Sequence, residues 1–290
     1  MNIADHGDAL IVEHGGVELA RYVLASDAPS FEAPKPYLHP LRTLAGDTVT
    51  NFRPHDHRWH NGLQLTCTDL SGHNLWGGHT WVDGIGYTAL DNVGRMDPNG
   101  PPTVSENEIA QELVWRSARG EDLVGEHRSL RFELIDDRTW ALTWTGELRN
   151  LTDEGLSFGS PATRGLAGSG YSGLWWRGPR SFTGGQVLLP TGHVPAAEAR
   201  GSDAEWLAFV GAHDGVDRSS TLLFEQIVTS ERFHTQWFVR SEEFAAVNPS
   251  WAFERAFPLE PDETVRIGYR VTIADGALSL EDIEHLRRLR

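Results

Sequence analysis

The constraint that most narrows the fold is an alternation of apolar and polar side chains with a period of two. It is clearest in "HRSLRFELIDDRTWALTWTGELRN", where Leu130, Phe132 and Leu134 precede Asp136-Asp137 and Trp140, Leu142 and Trp144 follow. Every second side chain of an extended segment points the same way, so each run presents one apolar face, and two runs about a short polar turn pair as an antiparallel hairpin. "ALIVEHGGVELARYVLA" repeats the pattern about Gly15-Gly16, a pair suited to a tight hairpin turn. Further strands are expected over 46–52, 62–68, 86–92, 105–117, 206–212, 219–228, 234–240, 251–257 and 264–274, separated by Gly, Pro, Asp and Asn clusters. So many half-apolar strands are satisfied by two antiparallel sheets packed face to face, which makes the chain all-β, with one domain over 1–290. The glycine- and proline-rich stretch 158–201, containing "FGSPATRGLAGSGYSGLWWRGP", is expected to be a long excursion over that body. Only "SLEDIEHLRRLR" has helical spacing, with Ser279 as N-cap, and this short C-terminal helix is expected to close one end of the sheets.

Charge and composition then exclude several partners. A net charge of -16 repels phosphate backbones and anionic lipid surfaces, so neither nucleic acid nor membrane is an expected partner. No segment approaches the roughly 18 consecutive apolar residues of a membrane helix. Cys67 is the only cysteine, which excludes an intramolecular disulfide and multi-cysteine metal sites. Together with the absence of a secretory pattern in "MNIADHGDAL", it makes the cytoplasm the expected compartment. Phosphate-binding glycine loops, dinucleotide fingerprints and nucleophile elbows are missing, so no nucleotide cofactor is expected. A homodimer is expected only from the prevalence of two-fold symmetry.

Chemistry concentrates in "RPHDHRWHNGL", which holds three of the chain's 13 histidines beside an aspartate. His57 and His60 are candidates for proton exchange, with Asp56 orienting one of them. The same residues with His55 offer an alternative, because three converging imidazoles can hold a divalent metal. Prolines keep "EAPKPYLHPLRTLAG" extended, setting Lys35, Tyr37 and His39 on one side as candidate substrate contacts, with Arg42 following; Lys35 is the only lysine. In "GEHRSLRFEL", Glu126 and Arg128 share the apolar face of Leu130 and Phe132, so they must either pair or serve a cavity; Glu126 is taken as a second acid/base and Arg128 as an oxygen-holding group. There are 11 tryptophans, and Trp76, near His73, Asn74 and His79, is a candidate platform for a sugar ring.

The motifs "KPYLHPLRTLAGDTVT", "RPHDHRWHNGLQL" and "GHNLWGG" together resemble the PmoA-like family, a bacterial family of unknown function, with looser agreement through "GEHRSL", "GYSGLWWRG" and "FHTQWFVRSEEFAAVNPSW". The family label points to a methane monooxygenase subunit, an apolar helical membrane protein that this polar, β-rich chain cannot be. The resemblance implies instead an association with sugar metabolism and a β-supersandwich similar to galactose mutarotase. Its motif positions here are Lys35, Tyr37, His39, Arg42, His55, Asp56, His57 and His60. The expected function is a carbohydrate-active lyase, epimerase or hydrolase using acid/base chemistry on a sugar or modified sugar. A metal-dependent enzyme and a non-catalytic sugar-binding module are the rivals.

Overall fold

A computed structural model describes residues 1–228, 230 and 232–289. Two antiparallel sheets dominate it. The first has eight strands in the order Asn2–Asp5, Ala9–His14, Val17–Val23, Tyr37–Leu41, Leu63–Thr66, Gly173–Arg177, Ala246–Ser250 and Gln236–Arg240. The second has ten, running from Thr103–Val104 through Glu108–Arg116, Asp122–Leu134, Thr139–Asn150, Thr264–Asp275, Ser219–Val228, Trp206–Ala212 and Gln186–Leu189 to Gly192–Val194, with Arg95–Pro98 pairing to Glu108–Arg116. Smaller sheets are formed by Phe257–Leu259, Leu156–Gly159 and Asp69–Leu70, and by Thr80–Val82 with Gly86–Thr88.

Both expected hairpins form. Gly15 and Gly16 turn the first with φ of 58° and 81°, angles that side-chain-bearing residues rarely adopt. In the second, Leu130 faces Trp144 and Phe132 faces Leu142, so the apolar faces coincide. Those side chains meet Leu10, Val12, Leu38, Leu63, Leu65, Leu174 and Trp176 of the first sheet in one shared core. Each large apolar side chain so buried contributes about 1.5–3 kcal/mol.

Four expectations need correction. No strand forms over 46–52, where isolated bridges join Arg42 to Thr48 and Phe52 to Asn61. Nor does one form over 251–257; the strands there are Ala246–Ser250 and Phe257–Leu259. The stretch 158–201 is not an excursion, because Gly173–Arg177 runs within the eight-stranded sheet, between Leu63–Thr66 and Ala246–Ser250. Its run "GLWWR" lacks alternation since both faces are covered, which hides a strand from a period-two search. The helix Leu280–Arg288, capped by Ser279 and Asp282 in a reciprocal box, does not close an end. It lies against the outer face of the ten-stranded sheet, where Ile283 packs with Leu188, Trp206, Ala208, Val210 and Leu223.

The interior also decides the pair Glu126 and Arg128. Their side chains are fully buried and joined by two hydrogen bonds of 2.7 and 2.9 Å. Arg128 also donates to the Tyr22 hydroxyl at 3.2 Å and lies over the Trp144 ring, and Trp115 donates to Glu126 at 2.7 Å. Tyr22 completes the chain by a hydrogen bond to Gln111. Low-dielectric burial demands this degree of satisfaction. The pair is a polar knot within the core, and neither member lines the cavity described next.

Candidate functional site

The outward face of the eight-stranded sheet carries the candidate site. Leu174 and Trp176 point into the core, so the alternate residues Trp175 and Arg177 point outward. On the strand Gln236–Arg240, Trp237 and Val239 likewise enter the core while Phe238 and Arg240 face out. Over this surface lies the loop 53–60, which leaves and rejoins the sheet at the Phe52–Asn61 bridge. Two successive turns, closed by His57 N–H to the Pro54 carbonyl and His60 N–H to the His57 carbonyl, both 3.0 Å, set residues three apart above one another. The His57 and His60 rings therefore stack, with centroids 4.8 Å apart. Gln64 holds the far end of the loop, accepting from Asn61 N–H and donating to the Trp59 carbonyl.

The result is a cavity of about 500 Å³ lined by Trp59, Trp76, Tyr171, Trp175, Phe238 and Phe244 as its apolar wall, with Asp56, His57, His60, His79, Tyr87, Arg240 and Glu243 as its polar groups. Trp59 leans on Gly77 and Gly78, where any Cβ atom would come within 2.6 Å of the tryptophan.

Within it, Asp56 accepts a 2.8 Å hydrogen bond from His57 Nδ1. Burial tends to raise the Asp56 carboxyl, but the His57 hydrogen bond and the neighbouring Arg177 outweigh it and hold the pKa at about 2. Because Nδ1 donates, His57 Nε2 carries the lone pair, and no group among the described residues occupies it. Burial lowers the His57 pKa from its ordinary value against the opposing pull of Asp56, so the ring is a neutral base at pH 7. Arg177 donates to His60 Nδ1 at 3.0 Å and approaches Asp56 at 3.5 Å while stacking 3.7 Å from the Phe244 ring. Burial brings Arg177 down to about 10 despite Asp56, which leaves it cationic. A guanidinium only donates, so His60 must accept through Nδ1 and keep its proton on Nε2. Burial, reinforced by His57 and Arg177, holds the His60 pKa well below its ordinary value.

Of the residues singled out in the sequence, Asp56, His57, His60 and Trp76 line this cavity. The others do not. Lys35 is wholly buried and donates to the Ala33, Trp76 and Glu32 carbonyls, and burial depresses its pKa to about 7 despite Glu32. It pegs the Trp76 loop to the segment before it. Tyr37 and His39 each stack with the Phe52 ring, and His39 is hydrogen-bonded to Thr50. Burial lowers the His39 pKa to about 4, aided by Arg42. Arg42 binds the Glu18 carbonyl and carboxylate, and His55 accepts from Arg180. His55 therefore does not join His57 and His60, and among the described residues no three His, Cys, Asp or Glu side chains gather as a metal-holding set. Arg177, Arg240, Glu243, Phe244 and Tyr171 were not anticipated. For Arg177 a signal existed, since a charged residue closes an otherwise apolar run between two glycines.

Fold and site together define an all-β, multi-sheet sandwich with a carboxylate–histidine pair in an aromatic hollow on one sheet's outer face. The chain belongs to the Family of unknown function (DUF6807), whose model matches residues 9–288. This corrects the resemblance to the PmoA-like family: the motifs that carried it fall inside the DUF6807 match, and the PmoA-like label does not apply. Among the described residues no helix is long and apolar enough to cross a membrane. No curated protein matches the chain.

Among solved structures the fold is similar to galactose mutarotase-like proteins. A galactose mutarotase related enzyme from Lactobacillus acidophilus is 9% identical, with 95% of this chain and 97% of that one covered at a TM-score of 0.39. Galactose 1-epimerase from Lactobacillus acidophilus NCFM is 8% identical, covering 95% and 94% at 0.35. The GH36 alpha-galactosidase AgaA from Geobacillus stearothermophilus is 13% identical at 0.42 over 94% of this chain, which spans only 42% of that enzyme. At such scores the site's chemistry has to be read from its own side chains.

Proposed function

We propose that the protein is a carbohydrate-active enzyme in which His57, oriented and polarised by Asp56, takes a proton from a bound sugar. The observation that carries this reading is the 2.8 Å Asp56–His57 bond at an aromatic-lined cavity, with His57 Nε2 left as a free base. Sugar rings present apolar C–H faces and hydroxyl edges, and the hollow offers tryptophan and tyrosine faces beside titratable and charged groups. An imidazole whose pKa burial holds below its ordinary value is in its base form at pH 7, and a positioned base contributes about 10²–10⁴-fold. His60, held by Arg177 with its proton on Nε2, is a neutral hydrogen-bond donor for charge developing on a sugar oxygen, and the His57 imidazolium formed by the abstraction is the acid that returns the proton. The pair supports abstraction of a proton beside a carbonyl and its return elsewhere, the step shared by epimerases and lyases.

Incubation in D2O with a panel of neutral sugars, oxidised sugars and sugar acids tests this by NMR, because deuterium enters carbon wherever a C–H proton is removed and returned. Incorporation into one class of substrate is expected, falling at least 10²-fold in His57→Ala. Binding without exchange or turnover anywhere in the panel would instead identify a non-catalytic sugar-binding module.

A further inference from the structure

We infer that the ligand of this cavity carries a carboxylate, held on the Arg240 side; the inference rests on the sugar reading above and narrows it to sugar acids.

The first ground is the local charge. The protein as a whole is strongly negative, at -16, yet arginines gather here. Asp56 is already met by Arg177, and Glu243 by Arg240 through a single 2.8 Å hydrogen bond from Nη1. Arg200 and Arg240 both lie over the Phe238 ring, at 5.3 and 5.5 Å from its centroid, and among the described residues the Arg200 N–H groups reach only the Val239 carbonyl. The lining itself sets Arg240 against Asp56 and Glu243, and with Arg177 and Arg200 close behind it three guanidiniums stand beside two carboxylates. Among the described residues Arg240 is the one arginine whose side chain lines the cavity, and Glu243 takes only one of its nitrogens. A second carboxylate can therefore be accommodated on the same guanidinium, whose planar fork suits paired oxygens.

The second ground is a shortage of acceptors. Among the described residues, nine buried side-chain polar atoms lack a partner, and five of them belong to this site: Trp59 Nε1, His60 Nε2, Trp175 Nε1, Arg177 Nε and Asn61 Oδ1. Four are N–H donors and one is an acceptor. Native proteins leave few buried polar groups unpaired, and each costs about 1–3 kcal/mol. The acceptors on the lining, His57 Nε2 and the Asp56 and Glu243 carboxylates, can meet hydroxyl donors, whereas four of the five unpartnered atoms are N–H groups that only an acceptor can meet. Uncompensated N–H groups behind the cavity wall favour negative charge in front of it.

Calorimetric titration of the full protein with matched pairs tests this: D-galactose against D-galacturonate, D-glucose against D-glucuronate and D-xylose against D-xylonate, at 20 and 200 mM NaCl. At least one acid should bind about tenfold or more tightly than its neutral partner, with the gap narrowing at the higher salt. Arg240→Gln should close that gap, and Glu243→Gln, which removes the competing carboxylate, should widen it. Equal affinities, a preference for the neutral sugar, or a preference for the acid that survives Arg240→Gln would each overturn the carboxylate assignment while the sugar reading stands. Failure of all six to bind would overturn both.

Discussion

Asp56 and His57 differ in what their surroundings do to them, and that difference fixes how activity should vary with pH. Burial lowers the His57 pKa while Asp56 pulls it back up, so the base form emerges as pH rises through a value under the usual 6.5. Activity should therefore climb along an acid limb below pH 6.5. In Asp56→Asn the upward pull is gone, so the limb should move to still lower pH while the plateau rate falls, on the order of 10²-fold, because the ring is no longer oriented. A pH–rate profile of both proteins checks direction and size together; an unmoved limb would separate the carboxylate from the base. Residue clusters of this kind are partly visible in a sequence. Asp56, His57 and His60 stand within five positions of one another, but Arg177, which binds His60 and approaches Asp56, lies 117 and 121 residues away. No local pattern joins them. Lys35 shows the reverse failure: a lone lysine on a proline-stiffened ribbon reads as a substrate contact, yet its ammonium is buried among three backbone carbonyls, where it acts as a structural peg.

Among the elements, those with one wet face were the legible ones. The hairpin Asp122–Leu134 and Thr139–Asn150 alternates because one side is core and the other is not. Gly173–Arg177 has burial on both sides and reads like a loop. The C-terminal helix was legible from its cap and spacing, but its docking was not, because the outer face it covers is formed by Leu188, Trp206 and Leu223 from strands far away in sequence. Ile283→Ala should cost about 2–4 kcal/mol by leaving a void beside Trp206, and Ser279→Ala about 1 kcal/mol by removing the cap. Both effects are measurable by urea denaturation. Neither variant should change ligand binding, since the helix lies on the ten-stranded sheet and the cavity on the other.

Across the whole molecule, stability and chemistry occupy opposite faces of one sheet. Its inner face joins the common core, in which Glu126 and Arg128 are knotted with Tyr22 and Trp115, and its outer face carries the cavity. A sequence pattern that places two charges on a buried face leaves pairing and catalysis equally open; the fully satisfied geometry favours pairing. Glu126→Ala, which strands the guanidinium, should lower unfolding free energy by about 3–5 kcal/mol, read from chemical denaturation. Activity per folded molecule should remain, whereas loss of turnover in a fully folded sample would return Glu126 to the mechanism.

The depth of the hollow depends on an omission. Beside Trp59 the chain has Gly77 and Gly78, and a single methyl group at either would meet that indole or its mount at 2.6 Å. The shape of the guest's berth is thus set from behind the wall: alanine at 78 would press on the Trp59 ring and alanine at 77 on its Cβ and the Glu32 carbonyl, so the indole could not keep its present seat although no residue on the lining had been exchanged.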